Sequence, residues 1–510
     1  MDLFNDDRLM AVCERFLNNN GSIGIDGVSG ELFKKNARRE FDIIQRKIAN
    51  NTYDFSLYKE KLILKSALSL PRQISIATKR DQLVLKILQE EIMRAFPEVF
   101  DVPPIKTKIN KVKETILSKK YDAFLKIDVK EFYPSINHKN LMLFLKTRIS
   151  DGIILSLIEQ AITQTTVNIA LPSNERIHYS NPCGVPQGLS ISTVLSEVYL
   201  HGVDLTQQSE NGYKYYRFVD DVLVLCNQVD AKEIQHKIVN NINKLDLKVH
   251  EFFDGSEKSS SGLLKNGVQF LGYYFKGEKI TVRPSSIHKI YEGINRVFLK
   301  HHKYAEKKDI KKLYRKLNLK ISGCVVDGKH YGWLNYFSDI NDKTLLFKLD
   351  CHVKRGFKRF SAPYNKEKIK TFARSYHEIN FQKDTSYIPE FMTKNNGKDK
   401  DLAFIDEKSP FTDEESTFTD EESVFTDEGS TFTDEDGAFI KESDLKIPSV
   451  DVIVKATISK NKSSYSEDGL SEETTSESSN AQTLEYLLGH KGESLTKKDI
   501  AELMKDIDFY

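Results

Sequence analysis

The sequence predicts an α+β body followed by an acidic, low-complexity tail, and three observations carry that prediction. Tyr215-Tyr-Arg-Phe-Val-Asp-Asp-Val-Leu-Val-Leu225 sets two apolar arms around Asp220-Asp221, the pattern of a tight hairpin with carboxylates at its tip. Residues 124–136 read FLKIDVKEFYPSI, a buried-type strand running into Asp128 and then a Pro-terminated turn. The charge is split: residues 1–400 hold 65 Lys+Arg against 46 Asp+Glu, while residues 401–510 hold 10 against 28.

With 510 residues the chain is long enough for several domains and a sizeable core. Its overall charge of +1 hides a body of +19 and a tail of −18, and a body that basic calls for a polyanionic partner. Cysteines 13, 183, 226, 324 and 351 form no close pairs, so neither a disulfide framework nor a zinc cluster is indicated. The N-terminal residues do not have the pattern of a signal peptide, and no apolar run reaches 18 residues. The expectation is a cytoplasmic protein with no membrane partner.

Taken in order, Gly24–Gly30 is a turn-rich loop leading into a helical stretch that ends near Asn51. Lys65 and Arg72 follow in an alternating stretch that reads as a hairpin; two solvated surface cations would look the same. A helix over 81–95 has apolar residues at 83, 84, 87, 88 and 92 and reads as packing. Residues 138–180 give a helical run and a polar loop. NPCGVPQGLSIS (181–192) has glycines that let backbone approach closely, before a helical run over 193–203. Residues 231–250 read as a helix and a strand. Residues 285–375 are helical and basic, with Lys300, Lys303, Lys307, Lys308, Lys311, Lys312, Arg315, Lys316 and Lys320, interleaved with Tyr304 and Tyr314. From about 380 the composition changes. Phe411, Phe418, Phe425 and Phe432 mark a seven-residue repeat, with 11 acids and no Lys or Arg over 411–438. One Phe per repeat is too few for a coiled coil, so disorder is expected. A terminal amphipathic helix is predicted, with Ser494 or Thr496 as cap and Ile500, Leu503, Met504 and Ile507 as its apolar face.

The chemistry starts from repulsion. Adjacent carboxylates disfavour each other's ionisation, and a divalent cation relieves this. Asp128 supplies a third carboxylate at a strand end. A strand-end aspartate with a hairpin Asp pair is the arrangement of palm-type polymerases, where two Mg²⁺ ions roughly 3.5–4 Å apart serve nucleotidyl transfer. Mg²⁺ suits this because it takes few protein carboxylates and leaves positions for phosphates.

Three blocks in this order, IDVKEFYPSI, GVPQGLSIS and FVDD, resemble those of reverse transcriptases, and GIDGVSGELF and YDFSLYKEKLILKS look like the fingers entry of group II intron-type enzymes. The resemblance implies an α+β right-hand polymerase, with fingers and a ferredoxin-like palm over 1–280 and a helical thumb over 281–375. Residues 376–510 fall outside it as a largely disordered tail. It implies two Mg²⁺ at Asp128, Val129, Asp220 and Asp221, and dNTP contacts at Lys65, Arg72, Tyr133 and Gln187. Tyr133 stands where the family has an aromatic gate against ribonucleotides; strand alternation lets only one of Phe132 and Tyr133 face the site. Lys258 falls near a lysine that protonates departing pyrophosphate in the family, in a loop longer and more Ser-rich than usual. Val268–Phe275 is similar to the primer-gripping hairpin, and HYGWLNYFSDINDKTLLFKLD to an intron-type thumb in which Trp333 is core. The implied partners are an RNA template, a DNA primer or product and dNTPs; a dedicated noncoding RNA, a partner protein and an oligomer stay open. The PQGLSIS block with an added tail looks like bacterial host-encoded enzymes, the retron and phage-defence groups. An intron maturase, or an RNA-binding scaffold without catalysis, is the alternative.

Overall fold

Strand Ala123–Asp128 is apolar on both faces, with Ala123, Phe124, Leu125 and Ile127 all buried, and so belongs inside a sheet. The computed structural model of the chain places it there, between strands Asp221–Cys226 and Ser260–Leu263, with Lys214–Phe218 at the far edge. Every pairing is antiparallel. Numbered along the chain, the strands lie in the order 2-3-1-4. Helix Ser190–Gln208 comes between the first two strands and helix Ala231–Asn243 between the last two. This is the β-α-β-β-α-β order of a ferredoxin-like unit. Helix Ala231–Asn243 buries Ile234, Ile238 and Ile242, a four-residue spacing that puts one apolar stripe on the sheet.

The structure describes residues 3–391, apart from 18–21, 65–69, 102, 171, 173–180, 182, 209–211, 254–255, 257, 304–309 and 382–385, together with residues 503–505. The chain divides into two units, Met1–Ser416 with Lys491–Tyr510, and Thr417–His490. The second lies outside the described residues, as do the phenylalanine repeats and the expected disorder. No helix among the described residues is long and apolar enough to cross a membrane.

One element of the sheet differs from expectation. The strand predicted near 250 is only a bridge, Val129 with Val249, and the fourth strand is Ser260–Leu263. Apolar alternation is weak over 244–258, so the edge position is set by pairing with Ala123–Lys126 and not by local pattern.

Before the sheet, arms Tyr58–Ile63 and Arg72–Ile76 form an antiparallel hairpin, joined in parallel by Thr166–Val167. The packing helix begins at Lys79, because the Thr78 hydroxyl accepts from the Asp81 N–H and caps it. After the sheet come a three-stranded meander (268–282) and helices Pro284–Lys303, Ile310–Ser322, Lys343–Arg359 and Phe372–Phe381. Trp333 is fully buried, its ring 4.9 Å from that of Phe337.

The body runs past 375. Glu390–Phe391 pairs in parallel with Cys324–Val326, beside the Lys329–Tyr331 arm. Leu503 and Met504 return to the same place: Leu503 is buried against Cys324, Val326, Tyr331 and Phe391, and the Gly332 N–H donates to Met504 Sδ at 3.3 Å. Phe391 and Leu503 therefore share one small apolar cluster. Leu503→Asp should release the terminal turn, since a charge replaces an apolar side chain in a closed cluster. Hydrogen exchange over 324–331 is expected to rise while that over 123–128 stays unchanged.

Candidate active site

The hairpin of the carboxylates closes in two residues. Phe218 pairs with Asp221, leaving Val219 and Asp220 as the loop. Val219 takes φ +53°, a region that β-branched residues rarely enter and that hairpins give by preference to glycine. Asp221 is thus the first strand residue and lies opposite Asp128 in register. Residues opposed in an antiparallel pair share a face with Cβ atoms about 4.5–5.5 Å apart. The structure therefore brings the three predicted aspartates to one end of the sheet.

Their electrostatics follow. Burial, then Asp221, then Asp128 push the Asp220 carboxyl up to about 6. The Asp221 carboxyl is also raised, chiefly by burial, with Lys126, Lys258 and Arg283 opposing the shift. Asp128 is engaged from two sides: Lys258 Nζ lies 3.2 Å from its Oδ2 and the His250 ring nitrogen Nε2 lies 3.3 Å from its Oδ1. Its N–H donates to Ser259 Oγ at 3.1 Å. Lys258, in the long serine-rich loop, therefore does reach the carboxylates. Among the described residues no three Asp, Glu, His or Cys side chains are drawn together tightly enough to cage an ion. Mg²⁺ does not need such a cage, since one or two carboxylates plus substrate phosphates and water suffice. A turn where burial and neighbouring carboxylates raise the Asp220 carboxyl suits such a cation. Val129 is buried and bridged to Val249 through its neighbours: His250 N–H donates to the Asp128 carbonyl at 3.0 Å and Lys130 N–H to the Lys248 carbonyl at 2.7 Å. By strand alternation the carbonyl of Val129 faces the opposite edge, that of the Asp hairpin.

Phe132 and Tyr133 lie on a short helix, Phe132–Ser135, and not on a strand. Phe132 is 3 % exposed and belongs to the core, whereas Tyr133 is half-buried. The Tyr133 hydroxyl pKa is raised, first by burial and also by Asp220, and hydrogen bonds from Ser196 and Thr193 oppose the rise. The two rings stay in contact, their centroids 5.5 Å apart, with Phe132 inside the core and Tyr133 packed against it.

The Gly184-Val-Pro-Gln-Gly188 loop is docked on both sides. Gly184 N–H donates to the Ile136 carbonyl and Val185 N–H to the Tyr133 carbonyl, both at 2.8 Å. The Ser75 N–H donates to the Gln187 carbonyl at 2.6 Å. Gly184 (φ +85°) and Gly188 (φ +102°) press on Pro134 and on Ile74 and Ser75. The close approach that these glycines allow is therefore to the protein's own chain. Arg72 opens the strand that carries Ser75, which links it to the Gln187 loop; Lys65 lies outside the described residues. The Ser190 hydroxyl, one turn on, is buried with no hydrogen-bond partner.

His250, Lys126 and Arg283 were not read from the sequence. Lys126 had a signal, since it stands two residues before Asp128 and so shares its face. Arg283 and His250 had none, because they arrive from separate elements.

Residues 63–275 match the family model "Reverse transcriptase (RNA-dependent DNA polymerase)". A protein described as "Uncharacterized 91 kDa protein in cob intron" from Schizosaccharomyces pombe is 25 % identical over 186 residues, 35 % of this chain; the chain spans about a fifth of that relative's length, 21 %. Among solved structures, apo telomerase from Candida tropicalis, truncated of its C-terminal domain, is 15 % identical, covering 50 % of this chain and 61 % of that one, with a TM-score of 0.36. Telomerase from Candida albicans, in complex with a fragment of telomeric RNA, is 13 % identical over 68 % of this chain and 69 % of that one, with a TM-score of 0.35. The matched span, residues 63–275, includes Asp128, Tyr133, Gln187, Asp220, Asp221, His250 and Lys258 and ends before Arg283.

Proposed function

We propose that the chain is an RNA-directed DNA polymerase working by two-metal nucleotidyl transfer. The observation that carries this is the facing of Asp128 and Asp221 with Asp220 at the turn beside them, inside the matched residues. Two Mg²⁺ ions held by Asp128, Asp220, Asp221 and the Val129 carbonyl would activate the primer 3′-oxygen and neutralise charge at the α-phosphate. The remaining roles belong to the chain. Lys65 and Arg72 grip the triphosphate, with the planar guanidinium suited to two phosphate oxygens. Gln187, on a loop braced by Ser75, contacts the nucleotide or its templating partner. Lys258 neutralises Asp128 until substrate arrives and then offers its proton to the departing pyrophosphate. The 285–375 region, with its lysines, tracks the duplex backbone.

The direct test is incorporation of dTTP on oligo(dT) annealed to poly(rA). Mg²⁺-dependent extension supports the proposal, and none with either Mg²⁺ or Mn²⁺ sinks it. A second expectation concerns sugar choice. Tyr133→Ala removes the half-buried ring whose hydroxyl is influenced by Asp220, so ribonucleotide use should rise about 10-fold or more relative to deoxynucleotide. An active variant with unchanged discrimination moves the gate elsewhere.

The intron reading has one observation in its favour, the likeness to a protein named for its place in the cob intron. The phage-defence reading rests on the motif resemblance. Plaque counts on bacteria expressing the wild type or Asp220→Asn test it: equal protection by both excludes polymerase-dependent defence.

A further inference from the structure

Directly behind the Asp turn lies a buried group of four charges that no step above uses. Arg217, with a side chain 9 % exposed, directs its guanidinium three ways. Nε donates to Asp204 Oδ1 at 2.8 Å and Nη2 to Asp204 Oδ2 at 2.5 Å, a forked grip. Nη1 stands 2.8 Å from Glu197 Oε2 and also donates to the Val219 carbonyl at 2.9 Å. Tyr215 OH adds a bond to Asp204 Oδ1 at 3.1 Å, and Lys108 Nζ donates to the carbonyl of Arg217 at 3.2 Å. Two cations thus balance two carboxylates, which is what lets such a group stay buried.

We propose that Arg217 is a positioning residue: anchored to helix Ser190–Gln208 through Asp204 and Glu197, it holds the Val219 carbonyl and so sets where Asp220 and Asp221 point. The proposal rests on the polymerase reading for its functional consequence. Val219 sits at φ +53°, a conformation that a β-branched residue keeps only when its surroundings impose it. Among the described contacts of that carbonyl, the Arg217 fork is the one that imposes it from the side chains. The anchor also has a far end. The same helix starts at the Gln187 loop, where the Ser192 hydroxyl donates to the Pro186 carbonyl at 2.5 Å. Metal carboxylates and nucleotide loop are therefore referenced to one rigid element, as sub-ångström placement requires.

A charge cluster that merely stabilises the fold would have no reason to reach the turn, and this separates the two roles experimentally. Removing the Arg charge would strand two buried acids, so the variant is Arg217→Lys, which keeps the charge but has no fork to hold Asp204 and Val219 together. Hydrogen exchange is measured across the full chain, with kcat and KM for dNTP on a primer–template. Exchange over 219–222 is expected to rise about 10-fold or more while that of Ala123–Ile127 stays as in wild type. kcat should fall roughly 100-fold with KM little changed. Unchanged exchange at the turn, or an equal rise over the whole sheet, overturns the proposal, as does wild-type kcat. Should Arg217→Lys fail to fold, Asp204→Asn loosens the anchor and must give the same pattern at smaller amplitude, or the proposal falls. A wild type that incorporates no nucleotide would overturn the polymerase reading instead, and exchange alone would then decide the clamp.

Discussion

Asp220→Asn should abolish nucleotide incorporation and at the same time make the protein more stable at neutral pH. On the proposed two-metal reading, activity falls because a carboxylate oxygen that would hold metal is lost, a loss of at least about 10³-fold. Stability rises because the site is built against the interest of the fold. Burial and two neighbouring carboxylates raise the Asp220 carboxyl to about 6. The sign follows from proton uptake: between the ordinary carboxylate range and about 6, the folded chain binds a proton that the unfolded chain does not. Wild-type stability therefore increases as pH falls through 6, and at pH 7 ionised Asp220 costs the fold on the order of 2 kcal/mol. Asparagine is neutral at every pH and escapes that cost. Thermal unfolding in EDTA should show the variant melting above wild type at pH 7, with the gap closing as the buffer is taken to pH 4–5. A variant that melts lower at pH 7 contradicts this electrostatic account. Such a gain on removing a functional group is the usual relation between active-site strain and stability.

Gly184→Ala should be strongly damaging although it removes no functional group. Its added Cβ would lie 2.6 Å from the Pro134 carbonyl oxygen and 2.8 Å from Pro134 Cα, at φ +85°. Backbone cannot rotate away as a side chain would, so the loop must move. The left-handed conformation and the overlap together cost about 2–4 kcal/mol. Because Val185 is bonded to the Tyr133 carbonyl and Gln187 to Ser75, the displacement reaches both predicted nucleotide contacts. Incorporation should drop roughly 100-fold, in KM for dNTP as well as kcat. Gly202→Ala is the control: it meets open space within helix Ser190–Gln208 and should stabilise by about 0.5–1 kcal/mol with activity unchanged. If Gly184→Ala retains wild-type KM, the loop does not position nucleotide.

The Asp hairpin and the Asp128 strand were legible because both signals are local: apolar runs broken by bare carboxylates. Their register against each other was not, since it depends on pairing between residues 93 apart in the chain. The fourth strand was misplaced for a related reason, because 260–263 has no alternation of its own and is a strand only by virtue of its neighbour. Tyr133 against Phe132 was posed on strand geometry, and the chain there turns helical at Phe132–Ser135. The glycines of the Gln187 loop were recognised as permitting close approach, but sequence has no means to say that the approaching groups are Pro134 and Ser75. Arg217 stood in plain view beside the hairpin; what it grips comes from a helix, 13 and 20 residues earlier, with spacing that gives no periodic signal. At the end of the chain, the compositional change near 380 concealed that Phe391 and Leu503 share one cluster.

The central claim is templated DNA synthesis by the Asp128–Asp220–Asp221 site, and single-nucleotide extension on an RNA template of mixed sequence tests it most directly. Four templates differing only in the base opposite the next position are each offered all four dNTPs singly. The account predicts that wild type adds the complementary nucleotide in every case, only with a divalent cation, and that Asp220→Asn adds none although it is folded. Addition without regard to the template base, or equal addition by the variant, would contradict it.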